Sequence, residues 1–207
     1  MTVKTVVVGE LETNCYIIGD KENYAIIDPG ADAKKIMMKM VKMVSGTSQS
    51  QTPFSKPVPI ILTHAHPDHL GAAGEITGEL KGQIYLHSLD SEWLKHIFGS
   101  SFPGLRNVED NEIIKVGSIE LRVIYTPGHT QGSICLYLER EGTLFSGDTL
   151  FAAGVGRTDL PGGDEESLRS SLKRLWTLPD SVKVYPGHGP QTTIKNEKGA
   201  TGEIDGN

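Results

Sequence analysis

The stretch IILTHAHPDHLGAAGE (residues 60–75) places His64, His66, Asp68 and His69 within six positions. Imidazole nitrogens and carboxylate oxygens are lone-pair donors, and so dense a group on one turn suits a bound cation. In a chain with seven His, the pattern HxHxDH arises by accident with a probability of about 4 in 10,000. Three more donors share its grammar: His129 in TPGHTQGS, Asp148 in FSGDTLF and His188 in YPGHGP. Each follows a run that reads as a strand, and loops beyond strand ends are where layered α/β folds build their sites. A lone His in any one of these turns is more often an ordinary turn or core residue; the set together is not explained that way. His87 in YLHS and His96 in LKHIF have no donor neighbours and stay outside the set.

The elements that must position these donors are legible as patterns. VKTVVVG, NCYIIGD and YAIIDPG read as three short strands separated by turns, an antiparallel opening. ADAKKIMMKMVKMVSG has helical spacing and a Gly46 stop, its methionines serving as core; TSQSQTPFSKP is a polar loop. The strand VPIILT enters the histidine turn, and HLGAAGEITGEL continues as a helix stopped by Gly82. QIYLH is a strand, and SLDSEWLKHIFG a helix capped by Ser88 or Asp90. After an irregular SSFPGLRNVED come strands near EIIKVG, IELRVIYTP, SICLYLER and TLFSGD, then an amphipathic helix DEESLRSSLKRLWTL with acids in its first turn. VKVYPG closes the fold. Strands with helices interposed imply a mixed α/β layered domain, spanning residues 1–195, with 196–207 a polar, fraying tail.

Composition bounds the partners. The chain has 207 residues, 37% hydrophobic and 22% charged, enough to bury roughly 70% of its unfolded surface in one domain. A formal net charge of -6 argues against nucleic acid as a partner. No apolar run approaches the ~18 residues of a membrane span, and the first residues lack a signal-peptide pattern. Cys15 and Cys135, the two cysteines, sit in apolar strand contexts and read as buried free thiols, with a reducing cytoplasm as the default compartment. Oligomeric state leaves no mark in the sequence.

The motifs THAHPDH, TPGHTQGS, FSGDTLF and YPGHGP, in this order, resemble those of the metallo-β-lactamase superfamily, and most closely its compact glyoxalase II-type hydrolases, over about residues 3–195. The resemblance implies a four-layer αββα sandwich, two mixed β-sheets packed face to face with helices on the outer faces. It also implies a two-metal centre: a first ion on His64, His66 and His129, a second on Asp68, His69 and His188, with Asp148 bridging. One departure concerns recognition. Longer glyoxalase II enzymes carry a C-terminal helical domain for glutathione, which the short tail here cannot form. Where they have a Lys and a Tyr after the bridging Asp, this chain has Arg157 and Asp159. Arg157 is a candidate to clamp a substrate carboxylate; the alternative is that it pairs with Asp159 and holds the loop.

The chemistry of the set is coherent in itself. Histidine and aspartate donors suit zinc foremost, and also iron or manganese. Two divalent ions against Asp68, Asp148 and a bridging hydroxide leave a net positive centre, able to polarise a carbonyl. The expected reaction is attack by the metal-held hydroxide, with Asp68 also orienting the nucleophile. A thiolate leaves without a general acid, since thiol pKa values lie near 8.5, whereas an amide nitrogen usually needs a proton. That favours a small-molecule thioester, and the glyoxalase II resemblance implies one such as S-lactoylglutathione. The rival readings are a glutathione persulfide dioxygenase with one iron on His64, His129 and Asp148, a β-lactamase, and a non-catalytic metal-binding scaffold.

Overall fold

The structure, a computed structural model, describes residues 1–20, 22–45, 56–98 and 102–200. The expected loop TSQSQTPFSKP lies mostly outside the described residues, as do 201–207 of the expected tail. Strands β1 (Thr2–Val8), β2 (Thr13–Gly19) and β3 (Tyr24–Ile27) form the antiparallel opening. Helix α1 (Ala33–Ser45) leads over to β4 (Ile60–Ile61), which joins β3 in parallel. Short α2 (Pro67–Leu70) and α3 (Ala73–Leu80) precede β5 (Ile84–His87), parallel to β4. Helix α4 (Ser88–Phe98) precedes β6 (Arg106–Val108), parallel to β5, completing a sheet ordered β1-β2-β3-β4-β5-β6.

An antiparallel run follows: β7 (Ile113–Val116), β8 (Ile119–Tyr125), β9 (Ile134–Leu138) and β10 (Thr143–Gly147). A small hairpin, β11 (Leu150–Phe151) with β12 (Gly154–Val155), comes next, then α5 (Glu165–Leu175). Strand β13 (Lys183–Pro186) lies parallel to β10, and β14 (Thr192–Thr193) and α6 (Ile194–Ala200) end the described chain. The second sheet runs β14-β13-β10-β9-β8-β7.

Successive strand residues point to opposite faces, and near-continuous apolar strands are those buried on both. Along β2, Tyr16 and Ile18 enter the cluster between the sheets, with Ile27, Ile61, Leu136 and Phe145. Cys15 and Ile17 turn the other way and meet Ile36, Met40, Ile76 and Leu94 of α1, α3 and α4. On β9, Cys135 and Tyr137 likewise face Leu168, Leu172 and Leu175 of α5, with Ile194 of α6. Three apolar layers therefore separate four structural ones, the expected αββα sandwich. Both cysteines are free and buried.

Several local expectations are corrected. The helix expected over 69–80 is two, broken at Gly71–Ala72, and its left-handed terminus is Lys81 (φ 52) rather than Gly82. Asp90 lies inside the first turn of α4, with its carboxylate turned away to other backbone groups. Met37 and Met40 are core and Met43 packs against it, but Met38 faces solvent. Strands β6, β11, β12 and β14 were not foreseen, and β13 is not the last element. The tail expected from 196 continues α6 through Ala200. Glu197 is buried there, accepting from Ala153 N at 2.8 Å and Thr192 Oγ1 at 2.6 Å. Replacing Glu197 by Ala leaves those donors unpaired, and should lower the free energy of unfolding by about 1–3 kcal/mol. Denaturant titration checks this, and a fraying tail would show no change.

Candidate metal centre

Each donor stands just beyond a strand, on one rim of the sandwich. His64 follows β4, and α2 carries Asp68 and His69; His129 follows β8, Asp148 follows β10 and His188 follows β13. Their ligand atoms fall into groups whose members lie within 4.8 Å of one another: His64, His66 and His129; His64, His69 and Asp148; Asp68, His69 and His188. Asp148 reaches both sides, with Oδ1 at 3.3 Å from His69 Nε2 and Oδ2 at 3.6 Å from both His129 Nε2 and His188 Nε2. All seven residues singled out by the motifs are thus brought together.

The imidazole protons are directed away from this cluster. His69 Nδ1 faces Asp28 Oδ2 at 3.0 Å, His129 Nδ1 faces the Arg157 carbonyl at 2.8 Å, and His188 Nδ1 faces the Leu11 carbonyl at 2.9 Å. Those oxygens can only accept, so each Nδ1 carries the proton and each Nε2 presents a lone pair inward. His64 is fixed at one remove. Thr63 Oγ1 donates to Asp28 Oδ2 at 2.7 Å and so accepts from His64 Nδ1 at 3.0 Å. His66 differs, presenting Nδ1 to the centre at 2.9 Å from His129 Nε2.

The inward nitrogens crowd one another, His69 Nε2 and His188 Nε2 lying 3.3 Å apart. His64 Nε2 and Asp148 Oδ1 are buried with no hydrogen-bond partner. Buried polar atoms are rarely left so, and the arrangement fits divalent cations placed among them. The proton affinities say the same. Burial opposes a proton on His69, but Asp28 and Asp148 outweigh it and lift its pKa to about 10. A hydrogen bond to Asp68 raises His188 in the same sense. Asp148 is held below the usual carboxylate range despite burial, chiefly by His69, and Asp68 likewise by His188. Burial, then His129, pushes His66 down to about 4. Without metal, the array takes up a proton where positive charge belongs.

Two residues not singled out beforehand support the site. Asp28 is buried, sits in the left-handed region at φ 51, and accepts from Thr63 N and Oγ1, both at 2.7 Å, besides His69. Its signal was present: YAIIDPG is another strand ending in a potential donor, although Asp-Pro-Gly alone reads as turn chemistry. Asp90 is the other. Arg157 forks Asp159 through two contacts of 2.7 Å, both side chains largely exposed, while its carbonyl orients His129. His87 stacks on Tyr125 at 4.5 Å, and His96 is exposed; neither joins the cluster.

Sandwich and donor cluster together mark a metalloenzyme. The chain belongs to the metallo-beta-lactamase superfamily: residues 8–188 match the family of that description. It is 34% identical to the probable metallo-hydrolase YqgX of Bacillus subtilis, over 92% of each chain. It is 31% identical to the hydroxyacylglutathione hydrolase GloC of Haemophilus influenzae, over 96% of this chain and 95% of that one. Among solved structures, the BLEG-1 B3 metallo-beta-lactamase superposes with a TM-score of 0.83 at 31% identity, covering 99% of this chain and 100% of that one. A di-iron-bound form of TTHA1623 gives 0.77 at 35%, covering 94% and 96%. ETHE1 from Myxococcus xanthus gives 0.76 at 30%, covering 96% and 82%.

Gly187 offers a direct test of the centre. A Cβ there would lie 2.0 Å from Asp148 Oδ1 and 2.7 Å from His69 Cε1. Gly187→Ala should displace the carboxylate that reaches both donor sets. Elemental analysis of the purified variant is expected to show loss of most bound metal, with a folded circular-dichroism spectrum retained.

Proposed function

We propose that this protein is a two-metal hydrolase of small-molecule thioesters, with an S-acylglutathione such as S-lactoylglutathione as substrate. The observation that carries the reading is the pair of donor sets sharing one carboxylate, Asp148, with their imidazole protons turned outward. His64, His66 and His129 would hold one ion and Asp68, His69 and His188 the other, zinc foremost, with iron or manganese also suited to such donors. Similarity to the hydroxyacylglutathione hydrolase GloC supports the substrate class. Two buried free thiols suit a reducing cytoplasm.

Bound there, the ions supply a lowered water pKa, toward ~7, and a Lewis acid for the carbonyl. The chain itself fixes the geometry. Asp68 Oδ2 accepts from Thr13 Oγ1 at 3.1 Å and lies 3.2 Å from His188 Nε2, and we assign its carboxylate a second role, orienting the attacking water. The acyl carbon gains the new C–O bond, and the C–S bond breaks with its electron pair going to sulfur. The thiolate leaves unprotonated because thiol pKa values lie near 8.5, so no side-chain acid is needed. We assign Arg157 to the substrate carboxylate, in exchange for Asp159.

Protein purified with its metal should contain close to two divalent ions per chain and turn over S-lactoylglutathione. Asp148→Ala should abolish both. Full activity in that variant, oxygen uptake with glutathione persulfide at one iron per chain, or nitrocefin turnover without thioesterase activity would overturn the reading.

A further inference from the structure

Strand β4 is flanked in its sheet by β3 and β5, and a buried carboxylate lies beyond the end of each flanking strand. Asp28 Oδ1 accepts from Thr63 N at 2.7 Å, and Asp90 Oδ2 accepts from Ala65 N, also at 2.7 Å. These amides bracket His64, so the loop that starts the donor set is gripped from both sides. Each carboxylate then reaches further, in opposite directions. Asp28 goes to His69. Asp90 goes to the loop of His129, accepting from Thr130 Oγ1 at 2.9 Å and Gly132 N at 2.7 Å. A Cβ on Gly132 would lie 2.5 Å from Asp90 N, so that loop backs directly onto the start of α4.

We propose that Asp90 is a positioning residue for one half of the centre, locking the loops of His66 and His129 to each other, while Asp28 holds His69 of the other half directly and His64 only through Thr63. The proposal rests on the two-metal reading above. Its chemical basis is that three donors converge on Asp90 and it has none of its own to place. The Thr130 hydroxyl spends its proton on Asp90, and Ser133 Oγ, 2.7 Å away, completes the bond to Thr130. The two carboxyl oxygens have lone pairs enough to accept from all three. An asparagine amide would keep its oxygen toward Ala65 N and Thr130 Oγ1, and its NH2 would then oppose Gly132 N–H. The His129 loop would lose its anchor although no donor atom had been removed.

Outer partners of metal-binding histidines typically change metal affinity by about 10- to 100-fold. Cobalt(II) titration of the metal-free full chain, followed by visible absorption, tests the assignment. Wild type is expected to take up two ions. In Asp90→Asn, one ion should bind about 10- to 100-fold more weakly, with an altered absorption band, while the other keeps its affinity. Asp28→Asn should weaken the other ion the more. Thr130→Val leaves both backbone bonds to Asp90, so it should give a smaller loss at the ion affected by Asp90→Asn. It decides the matter if Asp90→Asn does not fold. Unchanged affinities and bands in Asp90→Asn, equal weakening of both ions, or wild-type binding by Thr130→Val should the first variant not fold, overturn the proposal alone. Fewer than two ions in wild type overturns the two-metal reading and this proposal with it.

Discussion

Seven potential metal ligands converge on one rim, and the whole structure is arranged to hold them there. Each buried polar group left unpaired costs about 1–3 kcal/mol. Here Asp28 and Asp148 favour positive charge on His69, and His64 Nε2 is buried with no hydrogen-bond partner, so the cluster is completed by a cation. A chain free to relax would rotate its imidazoles outward. This one cannot, because most of the rings are held from behind by an acceptor that takes the Nδ1 proton.

The holding groups differ in kind, and the difference is informative. His129 and His188 lean on backbone carbonyls, of Arg157 and Leu11, so their orientation depends on loop conformation and not on a particular side chain. His69 leans on a carboxylate, which makes its imidazole a stronger donor to a cation. The same carboxylate fixes His64 through Thr63, so one side chain sets two tautomers. Arg157 shows the converse: its guanidinium engages Asp159 at the surface while its carbonyl does the orienting.

The seven donors could be read from the sequence because their chemistry resides in their own side-chain types and in short spacings. The doubly buried strands could be read for a similar reason, since apolar runs bounded by turns are local patterns. Asp28 and Asp90 could not. In IIDPG and SLDS an aspartate is what any turn or helix start would carry, and only the tertiary fold shows that its oxygens reach the amides of Thr63 and Ala65. Strands of two residues, such as β11 and β14, have no period to detect. Helix α6 was missed because its sequence is polar, and Glu197 is buried by two specific hydrogen bonds and not by hydrophobicity. Lys81, and not Gly82, takes the left-handed position because it directly follows Leu80, the last residue of α3.

Strand direction explains why such distant segments meet. Strands β3, β4 and β5 are mutually parallel, so Asp28, the histidine turn and Asp90 all emerge at one edge. An antiparallel neighbour would have sent its carboxylate to the far side. In the other sheet, β10 and β13 are parallel, which brings Asp148 and His188 together. Strand β8 is antiparallel to β9, and β9 to β10, so β8 runs with β10 and delivers His129 to that same edge. One reversal fewer or more would place it at the opposite end. Backbone bonds then join the edges of the two sheets, Ile134 N to Thr63 O at 2.9 Å and Asn14 N to Gly187 O at 2.7 Å. The mixed character of both sheets is therefore a geometric requirement of the site: the parallel pairs gather donors, and an even number of antiparallel steps returns the last of them to the others.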